Sequence, residues 1–242
     1  MLKRILIVWL VANFIIVGMG SLIAGGWYLG WGAPLAVSMV AELCLIMIPN
    51  AVLPILVLRH WWPEAIADLR DAVGWRWSGW RCIVAGVVAF LVAILLTQGI
   101  TRWVGESIPY NLPDTGGGDG IAVDHPSQVL KLLGILVGFV VFVIVTVVGE
   151  ETMFRGWIQT QVGARYGTWV GFLLAVLLFG LRHLPADLFY ARVWNATPRM
   201  WLARQSQLYT AAVCLGLARH FGRSTYASAI THALLFGVVL FS

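Results

Sequence analysis

Two adjacent acids, Glu150 and Glu151, are the residues of this chain best suited to chemistry, and they end a long apolar run in the sequence VVGEETMFRG. The residues from Leu132 to Gly149 carry no charge. Ionisable groups within or beside a bilayer are costly, so they usually mark a functional site. Arg155 follows Glu151 by four residues, with the acid first, which is the favourable order for an ion pair on a helix. The segment predicts a carboxylate pair at a membrane-embedded site.

Two imidazoles recur in later apolar segments, His183 in LLFGLRHLP and His232 in SAITHALLF. An acid pair with two histidines can activate water and bind a developing oxyanion, which is the chemistry of hydrolysis. Glu150, His183 and His232 would equally suit a zinc site with two histidines, one carboxylate and an open position. An HExxH zinc motif on one helix is absent. The residues alone leave hydrolysis without metal and zinc binding both open.

Aromatic residues recur at helical spacing around these groups. Glu150 shares a stripe with Phe154, Phe179 lies one turn before His183, and Phe236 lies one turn after His232. We predict that Phe154, Phe179 and Phe236 contact the substrate.

Composition restricts the class of protein that positions these groups. The chain has 242 residues, of which 60% are hydrophobic and 11% charged, against roughly 25% charged residues in soluble domains. It predicts an all-α, polytopic transmembrane helical bundle with about seven (six to eight) membrane helices. The net charge of +5 arises from basic residues concentrated in short inter-helix segments, so it predicts topology and not nucleic-acid binding.

The chain divides into an N-terminal region, 1–128, and a C-terminal core, 129–242. Segment 59–81 is amphipathic and rich in Trp and Arg, which predicts an interfacial segment on the cytoplasmic side, whereas the Gly-rich segment 102–128 predicts an outer loop. The N-terminus is then inside. The predicted apolar segments are 5–29, 33–58, 82–101, 129–162, 168–184, 207–219 and 224–241.

Segments 129–162 and 168–184 predict an antiparallel helical hairpin. As one helix, 129–162 would be roughly 50 Å long, which exceeds a hydrocarbon core of about 30 Å, so it must tilt or extend past the membrane. Glu150 and His183 lie almost equally far from the turn at Gly167, so we expect them to face each other at similar depth. The arginine-rich segment 185–206 predicts a surface helix or a re-entrant piece.

These residues resemble a known family. EETMFRG at 150–156 is similar to the EExxxR motif of the CPBP intramembrane endopeptidases, the CAAX-protease and bacteriocin-processing (Abi) family. FGLRH at 179–183 resembles their FxxxH motif, and His232 matches the first position of their HxxxN motif. The resemblance covers about residues 130–241.

The resemblance implies a glutamate-dependent intramembrane protease. Glu150 would activate water, while His183 and His232 would assist or bind the oxyanion. Glu151 and Arg155 would support that geometry. The family is usually considered metal-independent, so no cofactor is expected, with zinc as the alternative.

One position departs from the family pattern. The final Asn of the HxxxN motif, which is credited with oxyanion stabilisation, corresponds to Phe236, whose side chain has no hydrogen-bond donor. Loss of one oxyanion donor typically costs about 10²–10³ in rate. Thr231 and Asn195 are the candidate replacements.

Three functions therefore stand as hypotheses. The first is an intramembrane endopeptidase of the inner membrane, multi-pass and embedded in lipid, that acts on a peptide or protein and binds no nucleic acid. The composition favours a bacterial peptide over a prenylated one. The second is a non-catalytic bacteriocin-immunity or scaffold protein of the same fold. The third is an ion-coupled transporter that uses Glu42 and Glu150.

Overall fold

A computed structural model describes residues 2–11, 13, 52, 56, 59–60, 73–105, 140, 143, 147–193 and 197–241. Within these residues every regular element is a helix, which agrees with the predicted all-α class. Most of the predicted spans 5–29 and 33–58, of loop 102–128 and of the first half of 129–162 lies outside the described residues, so the number of membrane helices stays a prediction. The helices are α1 (Leu2–Trp9), α2 (Trp80–Val104), α3 (148–166), α4 (Thr168–Val193), α5 (Pro198–Gly222) and α6 (Thr225–Phe241).

Helix α2 is long and apolar enough to cross a membrane, by length and composition. It has 25 residues, and its most apolar window has a mean hydropathy of 2.5 and is only 11% buried. At 1.5 Å per residue such a helix spans the hydrocarbon core of about 30 Å. Trp77 and Trp80 are exposed near its start and Trp103 near its end, where tryptophan favours the two membrane interfaces. The predicted span 82–101 is thus one helix, and these features support a membrane protein.

Helix α3 is not the uninterrupted α-helix that the sequence predicted. It consists of an α-helical turn at Val148–Glu151, a π-helix at Thr152–Gln159 and a second α-helical part at Thr160–Tyr166. At Gly156 a Cβ atom would lie 2.5 Å from the carbonyl oxygen of Val73, so only glycine allows this close approach. The wide π-helical turns rotate the side chains relative to an α-helix, and such turns are frequent at functional sites.

The hairpin between α3 and α4 forms as predicted, with the turn at Gly167. The φ of Gly167 is +104°, a conformation that glycine adopts at no steric cost. Gly171 then brings the start of α4 against α3, because a Cβ there would lie 2.4 Å from the carbonyl oxygen of Gln159. Close helix contact at small residues is the usual packing mode in membranes.

The prediction for segment 185–206 is wrong. Helix α4 continues through Pro185 to Val193, and α5 begins at Pro198 after Thr197, whose hydroxyl accepts a hydrogen bond from the Met200 amide at 3.1 Å. The segment therefore forms the end of one helix and the start of the next. Membrane helices tolerate an internal proline because neighbouring groups satisfy the freed backbone carbonyl.

One end of the bundle gathers three connecting segments. The Thr225 hydroxyl donates to the Val73 carbonyl at 2.8 Å, and the Ser78 hydroxyl donates to the Gly222 carbonyl at 2.6 Å. Trp169, just after the α3–α4 turn, packs on His220 with ring centroids 5.4 Å apart. The interfacial segment and the α3–α4 turn therefore lie at the same end, as predicted. Four exposed arginines lie at this end, which the positive-inside rule would expect of a cytoplasmic face; they are Arg76, Arg81, Arg165 and Arg223.

Substitution Gly171→Ala should destabilise the protein by about 1–3 kcal/mol, the usual cost of overpacking. The added methyl group would meet backbone atoms of Gln159 and Gly163, which cannot rotate away. Thermal unfolding of the purified protein in detergent measures the change. Gly99→Ala in α2 is the matched control, because a Cβ there meets nothing within 4 Å. Equal midpoints for the two variants would contradict the close packing of the hairpin.

Candidate active site

The first acid, Glu150, is held by an arginine across the hairpin. Its Oε1 lies 2.6 Å from Nη2 of Arg182, and the two side chains are 3% and 4% exposed. Glu150 belongs to α3 and Arg182 to α4, next to His183 in sequence. The contact confirms the hairpin register that was predicted from the spacing of Glu150 and His183, although the side chain that contacts the carboxylate is Arg182.

The second acid, Glu151, is held from its own helix and from α6. Its Oε1 lies 3.4 Å from Nη1 of Arg155 and 2.8 Å from Nδ1 of His232. Glu151 and Arg155 are fully buried, and Nη2 of Arg155 also donates to the Ala212 carbonyl of α5 at 3.2 Å. The predicted ion pair of Glu151 and Arg155 is confirmed, and it ties α3 to both α5 and α6.

The hydrogen bond to Glu151 fixes the roles of the two nitrogens of His232. An ionised carboxylate only accepts hydrogen bonds, so Nδ1 of His232 carries the proton and donates it. In the neutral ring Nε2 is then an acceptor, and it lies 3.9 Å from Oε2 of Glu150. This distance is too long for a direct hydrogen bond. One water molecule between these two acceptors could donate a hydrogen bond to each of them. Its oxygen would then be oriented for attack.

His183 is fixed by its own helix. Its Nδ1 lies 2.9 Å from the Phe179 carbonyl oxygen, which can only accept, so Nδ1 donates here as well. His183 and His232 both face the Phe179 ring, at centroid distances of 5.0 and 6.2 Å. The structure therefore brings Glu150, Glu151, His183 and His232 to one place.

Aromatic rings form the floor of this site. The guanidinium carbon of Arg155 lies 4.3 Å from the Phe179 ring centroid, and that of Arg182 lies 5.8 Å away. Phe154 meets Phe179 edge to face at 5.2 Å. Phe154 and Phe179 are buried beneath charged groups, a position that supports cation–π packing. Contact of these rings with substrate stays a prediction, as it does for the half-buried Phe236.

The site is neutral without a metal ion. Two carboxylates, Glu150 and Glu151, face two guanidinium groups, Arg155 and Arg182. A divalent cation would add uncompensated charge to buried groups, which is costly. Among the described residues no group of three or more His, Cys, Asp or Glu side chains is placed to hold a metal. The zinc alternative at Glu150, His183 and His232 stays a prediction.

Arg182 is the site residue that sequence reasoning missed. The signal was present, because an arginine in an apolar run requires a buried partner, and the predicted hairpin places the acids Glu150 and Glu151 across from it. The N-terminal region also reaches these helices. Nε1 of Trp9 donates to the Leu178 carbonyl at 3.1 Å, and Nε1 of Trp75 donates to the Thr152 hydroxyl at 2.9 Å.

Thr231 is not a spare oxyanion donor. Its hydroxyl is buried and lies 2.9 Å from the Gly86 carbonyl and 3.1 Å from the Ala227 carbonyl, so its one proton is already shared between them. The suggestion that Thr231 replaces the motif amide is therefore wrong. Asn195 and Glu42 lie outside the described residues.

Substitution Arg155→Gln should lower the free energy of unfolding by about 3–5 kcal/mol, because it leaves the Glu151 carboxylate buried without its cation. Chemical unfolding in detergent measures the loss. Arg204→Gln is the control: the Arg204 side chain is 22% exposed, and Gln205 still donates to its partner Asp187. We expect that control to lose at most about 1 kcal/mol. Similar losses of unfolding free energy in both variants would contradict the conclusion that the buried Glu151 carboxylate depends on Arg155.

Comparison with known proteins finds one family model that matches the region of this site. Residues 132–237 match the family model described as type II CAAX prenyl endopeptidase Rce1-like. The matched range contains α3, α4, α5 and most of α6, and with them every charged and aromatic group of the site. It confirms the resemblance that the three motifs predicted. No curated protein and no solved structure matches the chain.

Proposed function

We propose that the Rce1-like domain at residues 132–237 makes this protein an intramembrane endopeptidase that hydrolyses a peptide bond with water activated by Glu150. The supporting observation is the 3.9 Å separation between Oε2 of Glu150 and Nε2 of His232. Oε1 of Glu150 is engaged by Arg182, so Oε2 is the oxygen directed to the reaction.

In the proposed reaction the water oxygen attacks the carbonyl carbon of the scissile bond. Glu150 takes the proton that the water loses, and the carbonyl oxygen becomes an oxyanion. When the tetrahedral intermediate collapses, the C–N bond breaks and Glu150 passes the proton to the leaving amine. Glu151 positions His232 through the hydrogen bond at Nδ1, in the way that a carboxylate orients a catalytic histidine. Arg155 holds Glu151 in place.

His183 packs against the Phe179 ring, and its Nδ1 donates to the Phe179 carbonyl. Its Nε2 is then the atom that can meet the substrate. In the neutral ring Nε2 is an acceptor, so we assign His183 to holding the substrate in place through one of the N–H groups of the peptide.

The substrate class follows from the family and the setting. A CAAX-type endopeptidase acts on a peptide or protein, and a site among apolar helices suits a cleavage point close to a membrane. We propose a multi-pass protein of the inner membrane and a bacterial peptide as substrate. Cleavage of peptides with and without a prenyl group distinguishes a prenylated from an unprenylated substrate.

Substitution Glu150→Gln should lower kcat by about 10²–10⁴-fold, the usual contribution of a general base. Purified wild type and variant are incubated in detergent with a random peptide library, with and without a C-terminal farnesylated cysteine, and products are identified by mass spectrometry. Asp187→Asn is the control, because this buried carboxylate of α4 accepts only from Arg204 and Gln205 among the contacts described. Equal cleavage by wild type and Glu150→Gln would remove the proposal.

The non-catalytic alternative rests on Phe236, which stands where the family motif has an amide donor. A Glu150→Gln variant that keeps the full biological effect of the protein would favour a scaffold or immunity role over hydrolysis. The transporter alternative requires ion flux in proteoliposomes that depends on Glu150.

The question of metal dependence leads to a separate prediction. We expect cleavage to continue in the presence of a strong chelator, because the buried charges of the site already balance. Metal content of the purified protein should show no stoichiometric zinc. Activity that is lost on chelation and restored by zinc alone would instead support a metal site at Glu150, His183 and His232.

A further inference from the structure

The guanidinium group of Arg182 has hydrogen-bond donors that its resting contacts do not use. Nη2 donates to Glu150 at 2.6 Å, whereas Nε and Nη1 are buried and have no acceptor among the described residues. Buried donors on a charged group are costly to leave unmet. Such groups in native structures call for an explanation, and one explanation is a ligand that arrives during function.

Arg155 provides the internal comparison. It is the other buried arginine of the site, and both of its terminal nitrogens are engaged, Nη1 with Glu151 and Nη2 with the Ala212 carbonyl. Its Nε alone has no acceptor in the part of the chain that the structure describes. The contacts of Arg155 tie three helices together, which is a structural role. Arg182 has one engaged nitrogen, on the residue proposed as the base.

The charge balance of the site changes during the proposed reaction. Before attack, Arg182 neutralises Glu150 and Arg155 neutralises Glu151. When Glu150 takes the proton from water it becomes neutral, and the negative charge moves to the carbonyl oxygen of the substrate. Arg182 is then the one cation of the four-charge site without a counter-ion. In a site with little water, the attraction between that cation and the oxyanion is strong.

We propose that Arg182 is a catalytic residue, which holds Glu150 before attack and then donates from Nη1 or Nε to the oxyanion of the tetrahedral intermediate. This inference rests on the proposed hydrolysis. Arg182 would supply the hydrogen-bond donor that the Phe236 side chain lacks. Thr231 cannot supply it, because its hydroxyl already bonds to the Gly86 and Ala227 carbonyls. The water oxygen bonds to the carbonyl carbon, the C=O electron pair moves to oxygen beside Arg182, and the proton stays on Glu150 until the amine leaves.

The substitution Arg182→Lys tests this role while keeping the positive charge beside Glu150. A lysine ammonium can pair with Glu150, so the fold should survive, but it lacks the fixed fork of donors that serves two partners together. We expect kcat to fall by about 10²–10³-fold with an unchanged KM, as for the loss of one oxyanion donor. The rate is measured on the peptide that wild type cleaves best from the library described above.

Arg219→Lys is the matched control. Arg219 is largely buried, donates to the Thr160 hydroxyl at 3.1 Å and also has a buried Nε without an acceptor, but it contacts neither acid. Its kcat should stay at the wild-type value. Thermal unfolding of both variants in detergent shows whether they are folded. Adding Phe236→Asn to Arg182→Lys should recover part of kcat, because it restores an amide one turn from His232; a loss due only to misfolding would not recover.

The outcomes separate this inference from the proposed function. If wild type cleaves, Glu150→Gln does not and Arg182→Lys keeps the wild-type kcat, then only the role of Arg182 is overturned. A loss of kcat that comes with unfolding and is not recovered by Phe236→Asn overturns it as well. If wild type cleaves no peptide of the library, the proposed hydrolysis fails and this inference fails with it.

Discussion

Four charged side chains buried between apolar helices constrain the C-terminal half of this protein. Glu150 with Arg182 and Glu151 with Arg155 form two ion pairs, each of which lies almost entirely out of water. A charge left without its partner in such surroundings costs several kcal/mol. The helices must therefore keep the register in which both pairs form. The Phe154 and Phe179 rings pack against the guanidinium groups and cover them.

The two acids are neighbours in sequence but serve different parts of the bundle. Glu150 contacts α4 through Arg182, whereas Glu151 contacts α6 through His232 and, through Arg155, the backbone of α5. Adjacent residues of an α-helix project about 100° apart. Here that difference in direction places the Glu150 carboxylate toward α4 and the Glu151 carboxylate toward α6. Arg155, in the π-helix that follows, lies within ion-pair distance of Glu151. Two adjacent acids on one helix thus reach three others.

Much of this arrangement could be predicted from local rules. The hairpin register followed from the positions of Glu150 and His183 about Gly167, and the Glu151–Arg155 pair followed from helical spacing. In each case the physical cause is short-range, because helix periodicity and a single tight turn determine it.

The features that the sequence did not reveal depend on tertiary packing. The π-helix at Thr152–Gln159 forms where Gly156 meets Val73, a contact between segments far apart in the chain. Helix α4 continues through Pro185 to Val193, so the rule that proline ends a helix failed there. Arg182 is adjacent to the motif histidine, but its contact with Glu150 joins two helices and depends on how they pack.

The hairpin between α3 and α4 also bears on how the chain enters the bilayer. Glu151 and Arg155 lie one turn apart and can cross together, but the counter-ion of Glu150 is thirty-two residues further along. A lone ionised carboxylate at the bilayer centre costs roughly 2.5–3.5 kcal/mol during translocon insertion. Both arms inserted side by side would present a neutral pair to the lipid. Insertion of α3 and α4 as one two-helix unit would deliver this region to a bilayer with its charges already matched.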